Sequence, residues 1–209
     1  NEKKWPATQE EFAFEFLGLI AFQDPPKENI VETIKTFHDA GIAVKMITGD
    51  YAETAIAIAD QVQLSHNHEV LTGKEVLHLT KEQLQQKVKS VNVYARMFPE
   101  AKLKVIDALK ENGEVVAMTG DGVNDGPALK AAHIGIAMGL RGSEVAKSAA
   151  SLILTDDDLS HMTDAVALGR KIYDNLKKAI QYIVSIHIPI ILIVTLPLLL
   201  AWKFTNIFS

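Results

Sequence analysis

A short apolar run, Val115-Val116-Ala117, passes directly into Met118-Thr119-Gly120-Asp121-Gly122-Val123-Asn124-Asp125-Gly126-Pro127-Ala128-Leu129. The run suits a buried parallel strand, and Pro127-Ala128-Leu129-Lys130-Ala131-Ala132 suits the first turns of a helix. The junction therefore reads strand, loop, helix. Gly120 and Gly122 allow a tight turn where side chains would clash. Asp121 and Asp125 put two carboxylates on one loop at the strand's C-terminal end, where open α/β sheets bind ligands. Two hard oxygen donors that close together suit Mg²⁺, which is usually held by one or two carboxylates plus phosphate and water. Gly, Asn and Asp also form ordinary turns, but the twelve-residue string is far more specific than any dipeptide within it.

The rest of the chain reads as alternating strands and helices up to about residue 158. Phe12 to Phe22 has strand composition and is stopped by Asp24-Pro25-Pro26-Lys27, because two prolines cannot continue a ladder. A helix is expected from Glu28 to about Ala40, with Ile30, Ile34 and Phe37 on one face and Gly41 at its end. Ile42 to Ile47 reads as a strand leading into Thr48-Gly49-Asp50, and Tyr51 to Val62 as a helix facing inward through Ala55, Ile58, Ala59 and Val62. Gln63 to Ser90 is ambiguous. His66 and His68 suit a solvated loop better than a metal site, and Thr80 with Gln83 suggests a capping box. Val91 to Ala95 reads as a strand, Pro99 to Glu111 as a proline-started helix, Ile134 to Met138 and Leu152 to Leu154 as strands, and Ser143 to Ala149 as a helix of small residues. This alternation predicts an α/β fold with a doubly wound parallel sheet.

A different composition begins near Leu159. One long helix is expected, with Arg170, Lys171, Asp174, Lys177 and Lys178 on its first part. From Ala179 to Trp202 there is no Asp, Glu, Lys or Arg, a run about long enough to span a bilayer. Some forty helical residues would reach roughly 60 Å. Basic residues cluster before the run, against Lys203 alone after it, which puts the α/β part in the cytosol. The expected division is 1–158 for the α/β part, 159–178 for a stalk, 179–202 for a membrane helix and 203–209 for a tail. The 209 residues carry a net charge of −5 and no cysteine. That charge offers no hint of nucleic-acid binding, and a Cys-based metal site or disulfide framework is excluded.

The string Met118 to Leu129 resembles the hinge motif of P-type ATPases, the phosphoenzyme ion pumps of the haloacid-dehalogenase-like superfamily. The usual form has Ala where this chain has Gly126. Ala95-Arg96-Met97-Phe98-Pro99-Glu100-Ala101-Lys102 resembles a second family pattern, and Thr48-Gly49-Asp50, at the end of another strand, converges on the same crevice if the sheet is parallel. Weaker matches at Asp24 to Lys27, Gly135 to Gly139 and Val145-Ala146-Lys147 through Asp156-Asp157-Asp158 resemble the calcium-pump-like branch. Phosphoryl transfer is catalysed largely by positioning and charge stabilisation, and these residues supply it. The resemblance implies that Lys102 places a positive charge on the phosphate. The Thr48 hydroxyl and Gly49 amide donate to its oxygens. Asp121 holds Mg²⁺, with Asp125 beside it as a direct or outer ligand. Asn124 offers an amide, and Asp50 and Arg96 lie near the nucleotide.

The family's nucleophile is the aspartate of an Asp-Lys-Thr-Gly-Thr string, which does not occur here. The resemblance implies that it lies upstream. The segment then corresponds to the C-terminal part of the phosphorylation domain with the next membrane helix, and is inactive alone. The implied cofactor is Mg²⁺ and the implied substrate ATP. The implied partners are a transported cation, membrane lipid and the remaining domains of the same pump, with no nucleic acid. On the membrane helix His187 and Ile190 stand where calcium pumps place an Asn and a Glu, with Pro189 between them. An intramembrane histidine marks a transport site or is satisfied by a neighbouring helix. Two other readings stay open: a membrane-anchored phosphatase of the same superfamily, and a non-catalytic Mg²⁺-binding regulator.

Overall fold

The computed structural model describes residues 8, 10, 12, 14–18, 20, 25–67 and 69–200. Part of the expected strand at Phe12 to Phe22 lies outside these residues, as do Asp24, His68, Trp202 and the 203–209 tail. Residues 14–18 and 20 join no ladder. The elements run α1 (Ile30–Asp39), β1 (Met46–Ile47), α2 (Ala52–Gln61), β2 (Val70–Thr72), α3 (Gly73–His78), α4 (Lys81–Ser90), β3 (Val93–Ala95), α5 (Pro99–Glu111), β4 (Ala117–Gly120), α6 (Gly126–Ala131), β5 (Ile134–Met138), α7 (Glu144–Ala149), β6 (Leu152–Leu154) and α8 (Ser160–Leu199).

All strand pairings are parallel, as the alternation requires. They form two three-stranded sheets, ordered β1-β3-β2 and β4-β5-β6. Among the described residues β1, β2, β4 and β6 each keep one unpaired edge. Three apolar clusters fill the body. One joins α2 to the first sheet through Ala55, Ala59, Val62, Val93 and Ala95, with Ile30, Ile34 and Ile58 packed against it. The second gathers α3, α4 and α5 on the same sheet around Val76, Leu84, Val88, Tyr94 and Val105. The third joins α5, α6 and α7 to the second sheet through Ile106, Met118, Leu129, Ala137 and Ala146. Helix α5 therefore serves both sheets. Val105 faces one core, Ile106 the other, and Leu109 packs against both. Burying each such side chain contributes about 1.5–3 kcal/mol.

Several elements differ from the sequence reading. The central strand lies further along than Val115 to Ala117. Val115 is 79% exposed, whereas Val116 and Met118 are buried. The period-two pattern thus belongs to a strand covered on one face, which enters the Thr119-Gly120 motif itself. β1 is only two residues long where six were expected. The ambiguous region holds β2, α3 and α4. Both helices open on a complete capping box, Thr72 with Glu75 and Thr80 with Gln83. His66 pairs with Asp60 at 2.9 Å.

The 40 residues of α8 form one helix with Pro189 and Pro197 inside it and no buried residue. Its length and composition suffice to cross a membrane. Its root is held to the body. The Lys27 ammonium donates to the Asp157 carbonyl at 2.6 Å, and the Asn29 amide donates to both Asp158 carboxylate oxygens at 3.0 Å. Further along, Arg170 donates to the Ala40 carbonyl at 2.8 Å.

The backbone amide and hydroxyl of Ser160, then Asn29, hold the Asp158 carboxyl down at about 2. A depressed carboxylate contributes stability that is complete above its unfolded value and is lost as pH falls through the folded one. The expected result is a carboxyl-carbon NMR titration of Asp158 with its midpoint at about 2 rather than 3.8. The Asp158→Asn variant should lose stability less steeply across that acid window in acid-unfolding experiments.

Candidate functional site

Four segments carry the residues singled out from the sequence. Thr48-Gly49-Asp50 leaves the C-terminal end of β1. Its hydroxyl and carboxylate close a local turn: the Asp50 amide donates to Thr48 Oγ1 at 3.1 Å, and Thr48 Oγ1 donates to Asp50 Oδ2 at 3.0 Å. The turn is stitched to the segment after β3, because the Arg96 amide donates to the Asp50 carbonyl at 2.8 Å and the Met97 amide to the Thr48 carbonyl at 2.9 Å. Arg96 adopts a left-handed φ of 50°. Its guanidinium lies 4.4 Å from the centre of the Tyr51 ring, a cation–π contact that joins the two segments a third time.

From there the chain enters α5 at Pro99 and places Lys102 in its first turns. The Lys102 ammonium donates to Asp125 Oδ1 at 2.7 Å, with the two side chains only 13% and 11% exposed. The opposite oxygen, Oδ2, accepts from the Gly122 amide at 3.1 Å. Asp125 sits on a single 3-10 turn, Val123–Asp125, between the strand and α6. It approaches the strand so closely that a Cβ on Gly120 would stand 2.6 Å from Asp125 Cβ and 2.9 Å from its carboxyl carbon. That separation explains the glycine: any side chain there must displace the carboxylate that holds Lys102.

Asp121 behaves differently. Its side chain is exposed and has no partner among the described residues, while its carbonyl accepts from the Ser143 amide at 2.8 Å. Asn124 is exposed likewise. The loop thus presents one open carboxylate and one already engaged. No group of three or more His, Cys, Asp or Glu side chains suited to a metal occurs among the described residues. A cation held mainly by phosphate and water needs no more than the open carboxylate, so Asp121 fits Mg²⁺ in that mode. Both oxygens of Asp125 already face donors, one of them an ammonium.

His187 lies far along α8, exposed, with Nδ1 at 2.8 Å from the Ile183 carbonyl. A carbonyl only accepts, so Nδ1 is the donor in this bond. Pro189 has no N–H, so the Ser185 carbonyl lacks its usual helical donor.

Sequence reasoning chose Lys102, Asp125 and the Thr48 turn but did not foresee that Lys102 and Asp125 bond to each other. It also passed over Tyr51, whose place directly after Asp50 was the available signal.

Comparison with known proteins fits this geometry. Residues 3–133 match the haloacid dehalogenase-like hydrolase family profile. The chain is 45% identical over 186 residues to a calcium-transporting ATPase of Bacillus subtilis, covering 88% of this chain and 21% of that protein. It is 51% identical over 170 residues to a probable cation-transporting ATPase F of Mycobacterium bovis, covering 79% and 19%. To the human calcium-transporting ATPase type 2C member 2 it is 44% identical over 182 residues, covering 87% and 19%. The chain thus spans about a fifth of the length of these relatives. Among solved structures, the catalytic domain of a CPx-ATPase superposes with a TM-score of 0.52 at 24% identity, covering 68% of this chain and 45% of that one, a likeness of fold. With the matched stretch running through the Thr48 turn, Lys102 and the Asp121 loop, the chain belongs to the haloacid dehalogenase-like hydrolases, as a domain of the kind found in cation-transporting P-type ATPases.

Proposed function

We propose that this chain is the Mg²⁺- and phosphate-binding part of an ATP-driven cation pump that works through an aspartyl phosphate, joined by a stalk to a membrane helix. The observation that carries this reading is the ion pair between Lys102 and Asp125. It brings a cation from α5 onto the loop that also holds an open carboxylate, and phosphoryl transfer needs both charges at one place.

In this reading Asp121 holds Mg²⁺, which supplies charge neutralisation for the phosphoryl oxygens. Lys102 faces the phosphate, and Asp125 fixes the ammonium's position instead of competing for the metal. Thr48 and Gly49 donate to phosphate oxygens once the Thr48 hydroxyl leaves Asp50. Asn124 adds an amide donor at the exposed side of the loop. Asp50 and the Arg96–Tyr51 pair border the nucleotide. The nucleophilic aspartate comes from upstream, on a strand that pairs with the free edge of β1 or β4. Residues 1–158 form the cytosolic part, 159–178 the stalk and 179–202 the membrane helix, with 203–209 following it. His187 Nε2 and the Ser185 carbonyl offer lone pairs to the transported cation.

The test uses membranes containing the full-length protein and γ-labelled ATP. Mg²⁺-dependent, hydroxylamine-sensitive label on the protein is the expected outcome. Rapid hydrolysis of p-nitrophenyl phosphate with no dependence on ATP would instead support the anchored phosphatase. Mg²⁺ binding with neither activity would support the regulator.

A further inference from the structure

The loop that follows β5 touches both the Asp121 loop and the root of α8. On one side, the Ser143 amide donates to the Asp121 carbonyl at 2.8 Å. On the other, the Leu140 and Arg141 amides donate to the two carboxylate oxygens of Asp157 at 2.9 and 3.0 Å. Arg141 Nε adds a contact to Asp157 at 3.5 Å. Gly139 and Gly142 let this loop lie flat on its neighbours, because a Cβ on either would strike backbone, of Leu154 and Thr155 in one case and of Met138 in the other.

Asp157 is 4% exposed and has a left-handed φ of 58°. Asn and Gly also tolerate that backbone, so the turn alone does not call for an acid. What calls for one is a pair of N–H donors that need two acceptor oxygens. Burial pushes this carboxyl up, but the amides of Leu140, Arg141 and Gly139 and the Arg141 charge outweigh it and hold it below its ordinary value. The next residue, Asp158, accepts at 2.9 Å from the amide of Ser160, the first residue of α8. Helix α1 braces the same root at both ends, through Lys27 and Asn29 near Asp157 and Asp158 and through Arg170 onto Ala40.

We propose that Asp157 is a positioning residue that makes the Asp121 loop and the root of α8 move as one body, so that events at the phosphate reach the membrane helix. The continuous path is Asp121, Ser143, Arg141, Asp157, Asp158, Ser160. This inference rests on the pump reading for its purpose, but not for its geometry. A path of hydrogen bonds and short backbone steps shows contact; coupling requires that its removal change the behaviour of both ends.

The test is Asp157→Asn in the full-length protein. Asn keeps the size and the backbone tolerance but turns an NH₂ group toward one of the two amide donors. Nitroxide labels at Ser148 on α7 and Lys171 on α8, both exposed, report their separation by pulsed electron resonance. In sealed vesicles, Ca²⁺ uptake is divided by ATP hydrolysed, and phosphoenzyme is measured in parallel. The expected result is a narrow distance distribution that broadens in the variant, phosphoenzyme kept, and Ca²⁺ moved per ATP lowered about threefold or more. An unchanged distribution overturns the proposal, as does a broadened one with an intact transport ratio. A parallel fall of melting temperature, phosphoenzyme and uptake at constant ratio reduces Asp157 to a fold-stabilising residue and also overturns it. A wild type that forms no phosphoenzyme sinks the pump reading and leaves the distances to decide the joint alone; one that forms phosphoenzyme but takes up no Ca²⁺ carries another cation, and the distances again decide.

Discussion

Replacing Lys102 by Met should lower phosphoenzyme formation by about 10²–10³-fold, the usual effect of removing one preorganised charge-stabilising donor. It should also destabilise the domain, because the substitution strands Asp125. That carboxylate is largely shielded from water and would keep only the Gly122 amide. Removing one partner of a shielded pair costs about 3 kcal/mol or more, whereas removing both can be close to neutral. The double variant Lys102→Met/Asp125→Asn should therefore regain stability over the single variant while staying inactive. Urea unfolding of the three proteins beside a labelled-ATP assay separates the effects. Additive stability losses would mean that the two side chains do not depend on each other.

Gly120→Ala should be nearly as damaging, although it removes no functional group. The new methyl group would stand 2.6 Å from Asp125 Cβ, well inside van der Waals contact, so the 3-10 turn must move. Overpacking of this kind costs about 1–3 kcal/mol. The larger effect is on chemistry: a displacement of about 1 Å at a positioned group can cost roughly 10²-fold. Phosphoenzyme formation at saturating ATP should fall by about that factor, with Mg²⁺ affinity changing less because the new methyl group meets Asp125 and not the exposed Asp121. A fully active Gly120→Ala would show that the Lys102–Asp125 distance does not matter to the reaction.

The parts of the fold legible in the sequence are those with their own local signals. Pro99 starts α5 where a proline is tolerated, and Ala55 and Ala59 on one face of α2, with Val62 just past its end, are buried. Capping chemistry at Thr80 was readable for the same reason. The run Val70-Leu71-Thr72 was not, because three strand residues followed by Gly73 carry no periodicity to detect. Its stability comes from β3 alongside it. The central strand was shifted because Val115 is apolar yet uncovered, and only packing decides which of two adjacent valines faces inward. At the site, motif spacing singled out Lys102 and Asp125, but their bond depends on how α5 meets α6. The importance of Asp157 was hidden in a run of three aspartates, where nothing local tells which one is shielded.

Among the described residues the two sheets share no ladder, and side chains of α5 pack against both. Side-chain contacts can slide by small amounts where backbone ladders cannot. The two halves of the body can therefore shift against each other without breaking a strand pairing.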